Sequence, residues 1–421
     1  MVVALERLQR NVDRDKVAIP TFPEEEYKFE GSGVTKSYVD RLEFFPVVYK
    51  YETELKGLHE YESLASLALS DPHIPKHVDK LVGTEFSVGW KTLWAYLSFP
   101  LVKQLNKRQD PFKFDTYIFE ESFSDLMLFF SSETIAMLSI APLHNFETNF
   151  DELELQQGLK IRRLTKDELA GLAQAGGESG FFASHELLGL KYAIELNFKV
   201  RKRIGELSKD DIHETIESEV RLWKLISVMR LYKTGNIAVE FVRTLPKTSV
   251  PGLSQRFQSY GAHKRFRGKR YIIADDERQE LRQFWVSLRD RDFQTSGPLN
   301  VALRRFDFAY ERDRLEDKLV DYMIAFEALF MKQEERSELV HRLSLRVAKL
   351  LGRGFQERLE IQNNIKEFYR KRSLVVHGEE TGLTEEFVHE VEDCLRSSVR
   401  ILLSRLETQS QVDLLSRLDL D

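Results

Sequence analysis

Hydrophobic and polar positions change period part-way along this chain. From Lys191 to Val200 they alternate strictly, with Tyr192, Ile194, Leu196, Phe198 and Val200 on one face, which predicts a half-buried strand. Asn236 to Arg243 repeats the pattern through Ile237, Val239 and Phe241, after a turn signal at Thr234 and Gly235. Thr116 to Phe119 and Leu126 to Phe130 read as further strands. Helical spacing lies between them, as at Leu222, Ile226 and Met229 in the segment Glu219 to Lys233. Residues 1–245 are therefore expected to form a mixed α/β domain, to which the pattern assigns no topology.

Breakers then accumulate from Thr244 to Gly252, which include Pro246, Pro251 and Gly252, and 246–274 reads as a basic linker. From about Asp275 the period is helical. Leu299 to Lys332 carries Leu319, Val320, Met323, Phe326 and Phe330 on one face. Glu335 to Leu351 carries Leu339, Leu343, Val347 and Leu350, with Arg342, Arg346 and Lys349 on another face. Phe355 to about Arg372 carries Ile361, Ile365 and Phe368. Thr384 to Leu406 opens with an N-cap threonine and two acids before Val388, Val391, Leu395, Val399, Leu402 and Leu406. Short connections between such helices predict a bundle over 275–421 and an α+β chain as a whole.

The chain's 421 residues favour two domains over one, and 42% hydrophobic with 31% charged residues is enough for a sizeable core. A net charge of -6 means that a nucleic-acid partner requires a local basic patch. One cysteine, Cys394, rules out an intrachain disulfide and suits a reducing cytoplasm. The N-terminus meets Glu6 and Arg7 too early for a signal-peptide core. The most apolar window, Leu93 to Val102, is broken by Ser98 and Pro100 and is too short to cross a bilayer. No phosphate loop, zinc pattern or His-Glu-x-x-His occurs, so no metal or other cofactor is expected. Gly31, Ser32 and Gly33 are not followed by the Asp-x-Asp of a nucleotidyltransferase, and Gly176 to Gly180 reads as a loop.

Candidate chemistry sits in the run Tyr369 to Gly378. Arg372 offers a planar fork of donors suited to a phosphate, and His377 exchanges a proton near neutrality. The spacing alone is cheap, because Arg336 and His341 share it. Placement separates them. Arg372 falls within about 20° of the stripe of Ile361, Ile365 and Phe368, whereas His377 precedes Gly378, a helix stop. On an unbroken helix the two would point about 140° apart, so either the helix breaks between them or each site draws on two chains. Glu327, on the stripe of Val320 and Met323, is placed to orient Arg372 or His377, or to close a structural ion pair. Asp317 and Asp321, one turn apart, read as a solvated face rather than a metal pair. The best local signature for nucleic acid is Arg256 to Arg270, where Lys264, Arg265, Arg267, Lys269 and Arg270 interleave with Phe257, Tyr260 and Phe266. The stripe of Arg342 and Arg346 is a second surface that would track a phosphate backbone.

The runs Arg304 to Arg312, Glu316 to Phe330, Arg342 to Leu351 and Arg372 to Gly378 together resemble the Apea-like branch of the HEPN superfamily, over about residues 275–410. The resemblance implies a helical bundle that forms a homodimer and brings two Arg-x4-His motifs to a shared cleft. It implies metal-independent endoribonuclease activity in phage defence or a toxin–antitoxin system, with Arg372 and His377 catalytic; Ser373, Glu327 and Tyr369 are read beside it as supporting residues. The position after the motif arginine is often Asn, Asp or His in active members and is Ser373 here. The alternatives are a non-catalytic module that binds RNA or a protein partner, and a dimeric scaffold in which Arg372 is tied to Glu327.

Overall fold

Tyr192, Ile194, Leu196 and Val200, the period-2 face, are each 2% exposed or less and form part of a sheet. The computed structural model describes the chain apart from residues 31–32, 77, 79–80, 84–91, 107–109, 179–188, 205–212, 250–254, 260–268, 292–296, 333–337, 406–409 and 421. The fold is α+β, a mixed α/β region followed by a helical one. The chain divides into two compact units. The first holds Met1–Leu143, Asp151–Leu222 and Val239–Tyr260, and the second His144–Phe150, Trp223–Ala238 and Gly261–Asp421. The division does not follow the breakers after Thr244, because Phe241–Pro246 and Arg256–Ser259 are paired strands of the first unit.

In the first unit a hairpin, β1 (Thr21–Glu30) and β2 (Gly33–Leu42), stands as a separate ribbon. The larger sheet uses β3 (Thr134–His144), β4 (Glu152–Gln156), β5 (Leu159–Arg163), β6 (Tyr192–Arg201), β7 (Phe241–Pro246) and β8 (Arg256–Ser259). Its main path runs β8-β7-β3-β6-β5-β4, antiparallel at each step. Thr116 to Phe119 and Leu126 to Phe130 are not strands. They belong to one helix, Thr116–Ser131, whose N-cap Asp115 accepts from the backbone N–H of Tyr117 (2.9 Å) and Ile118 (3.3 Å). A capped helix start outweighs the β preference of the aromatic residues behind it.

Besides the last turns, Trp223–Tyr232, of the helix His213–Tyr232, the second unit carries seven helices among its described residues: α1 (Arg278–Leu288), α2 (Pro298–Tyr310), α3 (Leu315–Phe330), α4 (Leu339–Leu351), α5 (Phe355–His377), α6 (Glu385–Arg405) and α7 (Gln411–Leu420). The predicted stripes are its core: Leu319, Met323, Phe326, Phe330, Val347, Ile365, Val391, Leu395 and Val399 are fully buried. Thr384 caps α6 as expected, its hydroxyl accepting from Phe387 N–H at 3.2 Å. Leu299 to Lys332 is two helices, not one. The chain turns at the charged run Glu311 to Arg314 without Pro or Gly, and Arg305 and Arg312 close both arms onto Asp321 at 2.8 and 2.7 Å. Asp321 is 2% exposed, so it forms neither a solvated face nor a metal pair with Asp317.

A polar hub crosses this core. Glu392 (7% exposed) accepts from the hydroxyls of Tyr310 at 2.6 Å and Tyr322 at 3.0 Å. Arg396 (5% exposed) pairs with Glu392 and Asp393 and donates to Arg230 O and Thr234 Oγ1, both at 2.8 Å. Burial, with the Glu392 charge next, holds both tyrosine hydroxyls well above their ordinary pKa, so they remain donors.

Two measurements follow from this interior. Arg396→Met leaves Glu392 buried without its cation and is expected to cost about 3–5 kcal/mol in urea unfolding, whereas Arg370→Ala, which breaks the exposed Arg370–Glu367 pair, costs under about 1 kcal/mol. His144, buried at the end of β3, has its pKa pushed down by burial to about 4 from 6.5. The unfolded chain therefore takes up a proton first, and stability present above pH 6.5 is lost as the pH falls toward 4. The loss is on the order of 3 kcal/mol at about 1.36 kcal/mol per pKa unit, and His144→Gln should flatten that limb of the pH–stability curve.

Candidate functional site

Helix α5 settles the geometry of the arginine–histidine pair. It runs without a break from Phe355 to His377 and ends at Gly378 in the left-handed region (φ 75°), with Gly378 N–H donating to Val375 O and Glu379 N–H to Leu374 O. Five helical residues turn the two side chains about 140° apart and separate them by about 7.5 Å along the axis. Arg372 lies beside the buried stripe of Ile365 and Phe368 and is itself half-buried. His377 is exposed, beside Val376 at 56% exposure.

Of the predicted residues, Tyr369 lies against Arg372. Its guanidinium carbon lies 5.7 Å from the centre of the Tyr369 ring, and its Nε is buried without a hydrogen-bond partner. Burial first, then the charge of the nearby Glu327 carboxylate of α3, raise the pKa of the Tyr369 hydroxyl. The Arg372–Glu327 ion pair of the scaffold reading does not form. Among the described residues, no carboxylate oxygen lies within 4.0 Å of the Arg372 guanidinium. Ser373 is half-buried on the next position of the helix.

The other candidates disperse. Arg346 is 0% exposed, with Nε 2.7 Å from Asp419 and a further donation to Phe330 O at 2.6 Å, so it is a structural cation and not an RNA contact. Its neighbour Lys349 donates to Asp419 O at 3.4 Å, while Arg342 is half-buried. Helix α7 supplies Asp419, some 70 residues away in the chain, and the stripe on α4 gave no sign of that cover. Phe257 is withdrawn from base stacking because its ring packs on Phe241 at 5.0 Å. Arg256 pairs with Glu219 at 3.7 Å. Lys264, Arg265, Arg267, Tyr260 and Phe266 lie outside the described residues, as does Arg336, while His341 is exposed. Lys269 and Arg270 are exposed, and Arg270 pairs with Glu147 at 2.7 Å.

No protein-family model, curated protein or solved structure matches this chain.

Sequence reasoning did not find a concavity, of about 50 Å³, lined by Lys269, Lys318, His389, Glu392, Tyr310 and Tyr322. Glu392 is visible as a buried acid only from its helical spacing with Val388 and Leu395, a weak signal. Among the described residues no cluster of three or more His, Cys, Asp or Glu is placed to hold a metal ion. No described helix is long and apolar enough to cross a membrane.

Arg372 and His377 can thus be altered from a helix end that tolerates change unequally. No atom crowds a side chain built at Gly378, so Gly378→Ala meets only the backbone cost of a positive φ, about 1 kcal/mol. His377→Ala, at an exposed position, is expected to change stability by no more than about 0.5 kcal/mol. Urea melts of the two variants check the difference.

Proposed function

We propose that the chain is a metal-independent endoribonuclease of HEPN type that works as a homodimer, cleaving cellular or invading RNA in a cytoplasmic defence or toxin role. The observation that carries this reading is Arg372. It is a half-buried guanidinium held on an aromatic ring with no carboxylate of the described residues in pairing distance, on the same unbroken helix as an exposed histidine. A cation held off solvent and left without a counter-charge suits an anionic ligand, and its fork of donors suits a phosphodiester.

In this reading Arg372 binds the non-bridging oxygens and stabilises the charge that grows on the pentacoordinate phosphorus. One His377 removes the proton of the ribose 2′-hydroxyl as that oxygen attacks phosphorus. The P–O5′ bond breaks, and a second histidine in its protonated form delivers a proton to the departing 5′-oxygen. The products are a 2′,3′-cyclic phosphate and a 5′-hydroxyl. Using the substrate's own hydroxyl as nucleophile restricts cleavage to RNA. The divergence of the two side chains on α5 is why two copies are invoked: His377 of one chain and Arg372 of the other complete one site. Glu327 acts through Tyr369 as a positioning group for Arg372, Ser373 offers a hydroxyl beside it, and the basic stretch Lys264 to Arg270 holds the strand.

The purified protein is expected to cut single-stranded RNA in the presence of EDTA and leave 2′,3′-cyclic ends. His377→Ala and Arg372→Ala should each lower the rate at least about 100-fold, the usual scale of a lost acid–base or charge-stabilising group. Equal RNA integrity with wild type and His377→Ala would overturn the reading, and retention of uncut RNA by both would leave a binding module in its place.

A further inference from the structure

The hairpin of the first unit has an edge that matches itself. β1 and β2 pair along ten residues a side, with Thr21 opposite Leu42 and Glu30 opposite Gly33. The β1 side meets the helix Lys166–Glu178, and Tyr27 of β1 joins Leu172 and Ala173 in a buried cluster. No strand among the described residues pairs with the other edge of β2. Such an edge presents a row of backbone donors and acceptors to any strand that fits.

The side chains at mid-strand decide what fits. Tyr38 is 64% and Val39 36% exposed, and Lys36, Asp40 and Arg41 are exposed with them. About Tyr38 the order of charges is antisymmetric, with a cation two residues before it and an anion two residues after. If two copies of β2 run antiparallel with Tyr38 opposite Tyr38, Lys36 of each stands opposite Asp40 of the other. Ser37 then stands opposite Val39. Directly opposed residues share a face and sit close enough to interact. A slip of two residues either way sets Lys36 against Tyr38 or Leu42 and loses both ion pairs, so this register is singled out.

We propose that β2 pairs with itself across a two-fold axis at Tyr38, and that the partner of this edge is a second copy of the chain. The contact is isologous, as a two-fold requires. It rests on the hairpin alone and does not depend on the nuclease reading.

Cross-linking tests the register directly. In a Cys394→Ser background, Tyr38→Cys places one thiol opposite itself, at the Cα separation of about 4.5–5.5 Å of an antiparallel pair, inside the disulfide range. Mild oxidation is expected to give a covalent dimer faster than Tyr117→Cys, a somewhat more exposed control on the helix Thr116–Ser131. Adding Lys36→Asp, or separately Asp40→Lys, turns both pairs into repulsions and should slow the cross-link at least about fivefold. Mixing those two proteins restores opposite charges in both pairs, and the heterodimer should form at the unmodified rate. A Tyr38→Cys rate no greater than the control, indifference to the charge changes, or no recovery on mixing would each overturn the proposal. The assay contains no RNA, so its failure leaves the nuclease reading standing, and a failed cleavage assay leaves this pairing standing.

Discussion

The helical unit is organised around one buried ion pair, Glu392 with Arg396. Taking both charges out of water costs several kcal/mol per ion unless each remaining donor and acceptor is met. The structure meets them from several elements at once. Glu392 takes one tyrosine hydroxyl from α2 and one from α3, and Arg396 reaches a backbone carbonyl at Arg230 and the hydroxyl of Thr234. Few other placements of these segments satisfy the same set of directional bonds. An apolar core of similar volume would hold the helices together without fixing their register as narrowly. The constraint reaches the candidate site, because Tyr322 and Glu327 lie on one helix, and the Glu327 charge acts on Tyr369, whose ring lies beside Arg372.

The electrostatics at the end of α5 then follow from local rules. The last carbonyls of a helix carry partial negative charge, which favours a cation there. His377 occupies that turn and is solvated. Arg372, one and a half turns earlier, has a polarisable ring in place of a carboxylate. An ion pair with Glu327 would have neutralised it. Among the described residues no carboxylate lies within pairing distance of the guanidinium, the condition under which an external anion gains most from binding.

How far the sequence could be read depended on whether the deciding interaction was local. The stripes of α3, α4, α5 and α6 were legible because burial on a helix repeats every three to four residues, and the β6 alternation was legible for the same reason at period two. The candidate pair, its stripe and its glycine stop were equally local. What failed was long-range. Arg346 looks like one of three surface cations until Asp419, on a helix the periodicity did not reveal, closes over it. Phe257 looks like a base-stacking ring until Phe241 on the paired strand covers it. The turn between α2 and α3 hides because charged residues, not breakers, make it, held by two arginines on Asp321. The misread helix at Thr116 shows the reverse case, where a single local cap at Asp115 outweighed a run of strand-favouring side chains.

An exposed strand edge usually carries charges that keep other strands away, and Lys36, Asp40 and Arg41 on β2 fit that description at first sight. The arrangement matters more than the presence of charge. A blunting edge needs one sign, because like charges repel in any self-register, whereas β2 places opposite charges two residues before and two residues after an exposed tyrosine. That pattern lowers the energy of one antiparallel self-register, and a slip of two residues either way loses both ion pairs. An edge built this way discriminates between partners instead of refusing them all, which is the property expected of an interface and not of a shield.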